Sequence, residues 1–356
     1  MDARTRLTRL RLSAQWIARP RRGASDADVV RHLTAMQAQD FAGAKWSVGL
    51  RAPGLTDAEV ERALAAGEIV RSWPMRGTLH LVAPEDLGWM LALTTPRLMR
   101  GATKRRLDLG LTDADVERAR ELAVEHLKGG RVLSRDAIQA MWNEHGIETT
   151  GQRGYHLLWS LSQTGTLVFG PVDGKQHTFT LLDEWVPAPR RLEADEALGE
   201  WAQRYFTSHG PATVKDFAWW ASLTLGEARR GLALADLATL DVDGTTYHLA
   251  HDLEPAPRSV QLLPGFDEFI LGYQNRSAAL TPEQFAVIVP GNNGIFQPTI
   301  VIDGAVTGTW KRTVKAKRVD VQLLPFDDAP VTAPVVDAPL AAYGRFLGIP
   351  TELARG

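Results

Sequence analysis

Gln37 and Gln39 lie two residues apart in the segment Met36–Asp40 of this 356-residue chain and are its first candidates for a catalytic role. A neutral amide is a poor general base, but its carbonyl oxygen can hold a water molecule or face a positive charge. The pair therefore indicates a reaction that needs positioning and electrostatic stabilisation more than proton abstraction. The alternative interpretation is a polar helix end, with both side chains solvated or capping.

The spacing of the two glutamines restricts the backbone on which they can act together. Residues i and i+2 of a regular helix point about 200° apart, so both amides reach one water only at a helix end or on extended backbone. The apolar periodicity stops after Met36, and Gly43 follows shortly after. We therefore expect the pair to lie outside any continuous helix if it works as a unit.

Other catalytic constellations are weak in this chain. The motifs of phosphate-binding loops, zinc proteases and nucleophile elbows are missing, and the nine histidines are scattered singly, so we expect no metal site and no cofactor. Asp267 and Glu268 lie in the apolar segment Leu262–Phe269, where a carboxyl pKa can rise. A hydrolase centred on this pair is an alternative, although a cap or an ion pair is the interpretation we prefer.

The composition is that of an ordinary globular protein, with 44% hydrophobic and 23% charged residues. No run of 18 apolar residues exists and the N-terminal residues lack a signal-peptide core, so we expect no membrane association. The chain has no cysteine, which excludes disulfides and thiolate chemistry and fits a reducing compartment. We therefore expect a cytoplasmic, nucleoid-associated protein.

The net charge of −2 conceals a gradient along the chain. Residues 1–106 carry 18 Lys and Arg against 10 Asp and Glu, a net charge of +8, whereas the remainder carries −10. Clustered cations can follow a phosphate backbone, although solvated helix faces are the alternative. Trp46 and Trp73 are candidate stacking platforms, and the turn 291–294 is suited to reaching into a groove. The predicted DNA-binding residues are Trp73, Arg76, Arg97, Arg100, Lys104, Arg105, Arg106, Asn292, Asn293, Lys311 and Arg312.

The middle of the chain repeats a pattern at a spacing of about 80 residues. Gly130–Asp136 and Gly210–Asp216 each open a helix after a Ser or Thr cap, and a second short helix follows. Two β-rich runs then meet at Asp173-Gly174 in one copy and at Asp243-Gly244 in the other, a strong hairpin signal. Helices followed by a β-hairpin are typical of a winged helix.

The same order is weaker in the first 100 residues, where we predict helices at 9–17, 28–36 and 57–64 and a wing at 70–82. Beyond the Pro-rich segment 254–257 the pattern changes to short β runs. The sequence thus predicts an α+β fold of three tandem winged-helix units followed by a C-terminal β-rich, barrel-like module. The predicted boundaries are 1–108, 109–190, 191–255 and 256–356.

This arrangement resembles the AlkZ/YcaQ-type bacterial DNA glycosylases. The segments that carry the resemblance span most of the chain and are Met36–Gln39, Trp73–His80, Leu262–Glu268, Pro298–Gly304 and Gly308–Trp310. Gln37-Ala38-Gln39 matches the Gln–apolar–Gln motif of the AlkZ branch, in which these glutamines are catalytic. The resemblance implies a monofunctional glycosylase that removes bulky N7-alkylated guanines, unhooks interstrand crosslinks and leaves abasic sites without strand cleavage.

The resemblance also implies the setting of the reaction. It implies double-stranded DNA with alkylated or crosslinked purines as the partner, and a role in DNA repair and resistance to a genotoxin. We expect a monomer, because repeated units within one chain can supply the contacts for which other DNA-binding proteins dimerise. A non-enzymatic winged-helix regulator remains the alternative from a different functional class.

Overall fold

The computed structural model describes residues 1–174, 176–326, 329 and 331–354, and these residues form a mixed α+β fold. The helices are α1 (Ala3–Ala14), α2 (Asp26–Leu33), α3 (Phe41–Arg51), α4 (Asp57–Ala65), α5 (Pro84–Asp108), α6 (Asp113–Leu127), α7 (Arg135–Glu144), α8 (Arg153–Gln163), α9 (Leu182–Trp185), α10 (Ala194–His209), α11 (Val214–Ala221), α12 (Leu225–Ala233), α13 (Glu268–Leu271), α14 (Pro282–Ile288) and α15 (Ala333–Leu347). The strands are β1 (Ala35–Gln37), β2 (Val70–Met75), β3 (Thr78–Val82), β4 (Leu133–Ser134), β5 (Leu167–Asp173), β6 (Gln176–Leu181), β7 (Ala238–Val242), β8 (Thr245–Leu249), β9 (Val260–Leu263), β10 (Thr299–Ile302), β11 (Ala305–Val314), β12 (Val319–Pro325) and β13 (Thr351–Leu353). Among these helices none is long and apolar enough to cross a bilayer.

The chain divides into two compact units. One unit comprises Met1–Val60 together with the chain from Leu198 onward, and the other comprises Glu61–Ala197. We refer to them as the discontinuous unit and the central unit. The four-part division expected from the sequence remains a prediction.

Helix starts follow the capping chemistry that the sequence suggested. Ser25 accepts from the backbone N–H of Asp28 and the Asp28 carboxylate accepts from Ser25, which closes a capping box at the start of α2. Thr213 and Asp216 do the same at α11, and Ser134 caps α7. The predicted Ser and Thr caps of α7 and α11 are therefore confirmed.

Two β-hairpins lie where the Asp-Gly pairs predicted them. In the central unit β5 and β6 pair antiparallel with Asp173 opposite Gln176, and β4 extends the sheet in the order β4-β6-β5. In the discontinuous unit β7 and β8 pair with Val242 opposite Thr245. Asp243 and Gly244 both have positive φ, 49° and 74°, which is the backbone of a type I′ turn.

The N-terminal elements differ from the prediction. Helix α1 begins at Ala3, well before the predicted residue 9, and α2 ends at Leu33 because Thr34 adopts a φ of 69° and the chain continues extended as β1. Helix α3 was not predicted. Every residue of α3 from Gly43 to Arg51 is buried, so the helix has no alternation of polar and apolar faces for a sequence pattern to detect.

The C-terminal region is built on a five-stranded sheet with the order β13-β12-β11-β10-β9. Within the described residues β13 and β9 are the two edges, so the sheet is a curled half-barrel, and the expected β-rich, barrel-like module is confirmed in this open form. Helix α15 packs against both edge strands and against α3, which supplies the apolar cover that closure would have given. Trp46, Trp310 and Tyr343 fill the space between them, with ring centroids 4.9 and 5.5 Å from Tyr343.

His32 is a half-buried histidine of the discontinuous unit. Its ring stacks on Trp16 with centroids 3.7 Å apart, and its Nε2 lies 2.6 Å from the carbonyl oxygen of Ala14. The pKa of His32 is lowered to about 4, mainly by burial and to a smaller extent by His209, Arg51 and Arg21, against the hydrogen bond to Ala14, which raises it. The folded state therefore binds this proton more weakly than the unfolded state, whose pKa is 6.5.

We predict that the stability contributed by neutral His32 is present above pH 6.5 and is lost as the pH falls toward 4. The change amounts to about 3 kcal/mol in the free energy of unfolding for the whole shift. Urea unfolding of the wild type and of His32→Gln at several pH values measures it, because Gln can keep the bond to Ala14 without titrating. The variant should show a shallower fall over this window, and equal slopes would contradict the prediction.

Candidate active site and DNA-contacting residues

The two glutamines lie side by side on irregular backbone. Strand β1 ends at Gln37, and Asp40 caps α3 by accepting from the backbone N–H of Gly43 at 3.0 Å. Gln37 Nε2 donates to Gln39 Oε1 at 2.6 Å. Neither glutamine belongs to a helix, so the geometric condition for a shared water is met and the interpretation as a solvated helix end does not fit. Their catalytic role stays a prediction.

The two amides differ in exposure. Gln37 is buried, with 7% of its surface exposed, whereas Gln39 is exposed. An amide oxygen has two lone pairs, so Gln39 Oε1 can accept from Gln37 and still accept from a second donor. The arrangement is a buried amide that orients an exposed one.

Glu268 holds the backbone of Gln37. Its Oε1 accepts from the Gln37 N–H at 2.9 Å and its Oε2 accepts from Trp220 Nε1 at 2.8 Å. His209 Nε2 lies 3.5 Å from the same Oε2, and Glu268 is only 1% exposed. A carboxylate can serve several donors at once, and in a buried setting each charge-assisted bond is strong. Gln37 is therefore tied to a segment 231 residues away in sequence.

Asp267 anchors the same turn to α3. Arg51 donates two parallel bonds, Nη1 to Oδ2 and Nη2 to Oδ1, each 2.9 Å long, and Ser47 Oγ donates to Oδ2 at 2.6 Å. The N–H of Phe269 donates to Oδ1, which caps the short helix α13. Arg51 and Asp267 are 0% and 2% exposed, so this is a buried bidentate ion pair.

Two tryptophans fix the strand that leads into this turn. Trp46 Nε1 donates to the carbonyl oxygen of Leu262 at 2.9 Å, and Trp310 Nε1 donates to that of Leu263 at 2.8 Å. The chain then turns at Gly265, where an added Cβ would lie 2.6 Å from the carbonyl oxygen of Phe296. Trp46 is thus a structural core residue and not the stacking platform that the sequence suggested.

The carboxylates of Asp267 and Glu268 are engaged in these structural bonds. They are buried and their oxygens accept from Arg51, Ser47, Gln37 and Trp220. This is the cap and ion pair that we preferred from the sequence, and the geometry gives the pair no open face for hydrolytic work. Nor do the described residues include three His, Asp or Glu side chains grouped to hold a metal ion.

Arg312 contacts Asp40, the residue after Gln39, and is mostly buried. Its Nη2 lies 3.2 Å from Asp40 Oδ2, and the Arg312 side chain is 16% exposed. The predicted phosphate contact is therefore already an ion pair with the cap of α3. Its neighbour Lys311 on β11 is exposed.

Trp73 occupies the core of the central unit. Only 2% of its surface is exposed, and its ring packs 5.1 Å from Phe169, so the predicted stacking of Trp73 on DNA is corrected. Burial of the indole ring against other aromatic side chains stabilises the fold, whereas exposure of the ring to solvent would not. Arg76 stands at the tip of the β2–β3 hairpin with a φ of 54°, half-buried, and donates to His80 Nε2 at 2.9 Å.

The predicted basic cluster lies on the C-terminal half of α5. Arg100, Lys104 and Arg105 are exposed, although Arg105 also donates to the side chain of Gln152 at 2.7 Å. Arg97 is half-buried, and Arg106 is half-buried and pairs with Asp113.

Asn292 and Asn293 stand on an exposed turn of the discontinuous unit. The turn is a 3₁₀ helix, Pro290–Asn292, in which Asn292 has a φ of 52°. The side chain of Asn293 accepts from the N–H of Ile295, whose surface is 51% exposed.

Several residues that position the site were missed from the sequence. Arg51, Ser47 and Trp220 reach the Asp267–Glu268 turn from α3 and α11. Gln15 adds a bond from its Nε2 to the carbonyl oxygen of Glu268 at 3.2 Å. The one signal that could have indicated them is the presence of Arg51 in an otherwise apolar segment, since a buried cation needs a carboxylate partner.

We predict that Arg51→Met lowers the free energy of unfolding by about 3–5 kcal/mol, because it leaves the Asp267 carboxylate buried without its cation. The double variant Arg51→Met/Asp267→Asn removes that charge and should be more stable than Arg51→Met alone. Urea unfolding of the three proteins measures the difference. A double variant that is less stable than the single one would contradict this account of the pair.

Comparison with known proteins finds relatives that match most of this chain and share its fold. The family model described as AlkZ-like DNA glycosylase matches residues 30–346. An interstrand DNA cross-link repair glycosylase of Streptomyces sahachiroi is 29% identical over 324 residues, 82% of this chain and 83% of that protein. The solved structure of Streptomyces sahachiroi DNA glycosylase AlkZ is similar with a TM-score of 0.82 and 26% identity, over 98% of this chain and 99% of that one. These likenesses confirm the enzyme class expected from the sequence, and the chain belongs to the AlkZ-like family of DNA glycosylases.

Proposed function

We propose that this enzyme is a monofunctional glycosylase that hydrolyses the N-glycosidic bond of bulky N7-alkylated guanines, unhooks interstrand crosslinks and leaves abasic sites. The observation that carries the proposal is the 2.6 Å contact between the amides of Gln37 and Gln39. The cross-link repair function of the Streptomyces sahachiroi relative supports the choice of substrate.

The chemistry of the substrate fits a pair of amides. An N7-alkylated guanine in DNA carries a positive charge, so its glycosidic bond is weakened before the enzyme acts. The bond breaks toward an oxocarbenium-like sugar, and its electron pair returns to the purine and neutralises it. Water then bonds to C1′ and loses a proton to solvent. The protein has to place that water and stabilise positive charge on the sugar, and amide oxygens do both.

The two glutamines divide this work. Exposed Gln39 orients the water through the second lone pair of its Oε1, and buried Gln37 holds that oxygen in place. Glu268 in turn fixes the backbone of Gln37. The Asp40 carboxylate adds negative charge beside Gln39, and its ion pair with Arg312 keeps it in position.

We further propose that three winged helices form the DNA-binding scaffold. The segment from α6 to β6 consists of a helix, a short strand, two helices and a β-hairpin, which is the order expected of a winged helix and supports the proposal. The order from α10 to β8 supports it again, with Ala212 bridging to His248 in place of the short strand. The elements from α2 to β3 follow the same order. We expect the protein to act as a monomer on double-stranded DNA in the cytoplasm.

The exposed cations and amides are the proposed DNA contacts. Arg100, Lys104 and Arg105 on α5 and Lys311 on β11 suit phosphates, and Asn292 and Asn293 suit a groove. Half-buried Arg76 and Arg97 can contribute only through their outer atoms. A purely regulatory DNA-binding protein, the alternative from the sequence, is disfavoured by membership of a glycosylase family.

We predict that Gln39→Ala and Gln37→Ala each slow base release about 100-fold, in line with the loss of one preorganised polar group from an active site. The measurement is single-turnover release of the free base from duplex DNA with one N7-alkylguanine. The matched control is Gln274→Ala, because Gln274 is exposed and belongs to neither the glutamine pair nor the predicted DNA contacts.

The product and the controls decide the outcome of this assay. Intact strands that break only on later alkaline treatment are the expected product. Release by both variants at the rate of the control would remove the glutamines from the mechanism. Tight DNA binding by the wild type without release from any N7 adduct or crosslink would reject the proposed substrate class.

We predict that Arg100→Gln and Lys104→Gln weaken binding to undamaged duplex and each reduce the slope of log K against log salt by about 0.9, the value for one lost phosphate contact. Fluorescence anisotropy over a salt series measures the slope. Lys128→Gln, at an exposed lysine of the same unit, is the control. A slope equal to that of the control would assign these side chains to solvent.

A further inference from the structure

A cavity of about 310 Å³ lies within the central unit. This volume is at the small end of the range for ligand-binding sites, and it suits one or two fused rings. Its walls come from β2, β3, β5 and β6, from the start of α7 and from α8. Gln37 and Gln39 belong to the other unit and do not line it. The function of this cavity is therefore a separate question from that of the glutamine pair.

The interior of the cavity is aromatic. Trp73 and Phe179 are each 2% exposed, and Phe169 lies between them with centroids 5.1 and 4.4 Å away. Tyr155 is 50% exposed at the rim, with its ring edge-on to Trp73 at 6.3 Å. Phe169 is half-buried, so a planar ring can enter past Tyr155 and pack against Phe169, with Trp73 and Phe179 behind it.

One buried cation lines this aromatic cavity. Arg71 is 5% exposed, and its guanidinium lies 4.9 Å from the centroid of Phe169. Burial lowers the pKa of Arg71 to about 10, so the side chain remains charged at neutral pH. A guanidinium carries five N–H donors in a planar fork, which matches an acceptor on the edge of a ring.

His177 is a neutral hydrogen-bond partner of Arg71. Arg71 Nη1 lies 3.1 Å from His177 Nε2. Burial lowers the pKa of His177 to about 4, and the charges of Arg71 and Arg135 add to the shift. His177 is therefore neutral and accepts through Nε2, which leaves its proton on Nδ1.

The rim adds little net charge. Arg135 Nε lies 3.3 Å from Asp136 Oδ1, so these two exposed residues largely cancel. The side chains that line the cavity then carry a net charge of +1, that of Arg71. Arg71 attracts a ring that carries a keto acceptor and repels a cationic ring, and the low dielectric of the cavity strengthens both effects.

We propose that this cavity binds an uncharged guanine-type base, with its keto edge toward Arg71 and its ring against the aromatic floor. Arginine pairs with the O6 and N7 acceptors of guanine in its commonest base-specific contact. An N7-alkylated guanosine is positively charged and lacks the free N7, so the cavity rejects the damaged nucleoside. The base released from it is neutral and keeps its O6. This proposal does not depend on catalysis by Gln37 and Gln39.

The test is equilibrium binding of nucleosides to the full-length protein by calorimetry, near pH 6, where 7-methylguanosine is a cation. Guanosine should bind saturably, at least about tenfold more tightly than 7-methylguanosine and more tightly than adenosine, which lacks the keto group. Absence of saturable guanosine binding up to about 1 mM, or equal binding of 7-methylguanosine, would overturn the proposal.

Variants connect the binding to the cavity. Arg71→Met and Tyr155→Ala should each weaken guanosine binding about tenfold or more, whereas Tyr247→Ala, at a tyrosine that does not line the cavity, should not. If Arg71→Met does not fold, the affinity of Tyr155→Ala for guanosine and the comparison of the three nucleosides still test the site. Unchanged affinity in Tyr155→Ala would mean that guanosine binds elsewhere and would reject the site.

Two sources could supply such a base, namely free base in solution or a base displaced from a DNA strand. Duplexes with one unpaired guanine and with one unpaired adenine distinguish them. If DNA is the source, the unpaired guanine should increase affinity and Tyr155→Ala should remove that increase. If the unpaired guanine gives no increase while guanosine still binds, the cavity serves the free base.

Discussion

The buried carboxylates of Asp267 and Glu268 are the constraint on which the geometry of the candidate site depends. Each lies at most 2% exposed, and removing a carboxylate from water is unfavourable unless donors surround it. Arg51 and Ser47 satisfy Asp267, whereas the backbone of Gln37 and the indole of Trp220 satisfy Glu268. One dipeptide thereby fixes α3, α11 and the end of β1 relative to each other.

This constraint explains how two weak groups can form one site. Amides cannot remove a proton from water at neutral pH, so their value depends on being held in the right place. Glu268 fixes the backbone of buried Gln37, and the side chain of Gln37 in turn holds exposed Gln39 through a 2.6 Å hydrogen bond. For a substrate whose own charge weakens the glycosidic bond, such preorganisation is the contribution that remains for the protein to make.

Sequence reasoning succeeded where the signal was local. The Asp-Gly hairpins, the Ser and Thr caps and the departure of Gln37 and Gln39 from helical backbone all depend on neighbouring residues. Local chemistry of this kind determines turns and helix starts without reference to the rest of the chain.

Sequence reasoning failed where the partner was remote or burial was complete. Arg312 looked like a phosphate contact, but it pairs with Asp40, 272 residues away. Trp73 looked like a stacking platform, but tertiary packing buries it, and α3 gave no periodic pattern because it is buried on all sides. The link from Glu268 to Gln37 spans 231 residues, and no spacing rule reaches that far.

A double-mutant cycle between Glu268 and Gln39 tests whether Glu268 acts on the reaction through the glutamine pair. Glu268→Gln keeps the shape of the side chain, but its amide nitrogen cannot accept from Trp220 or Gln37. We expect it to slow single-turnover base release about tenfold with unchanged DNA affinity, and to have little further effect in Gln39→Ala. Equal slowing by Glu268→Gln in both backgrounds would show that Glu268 acts independently of Gln39.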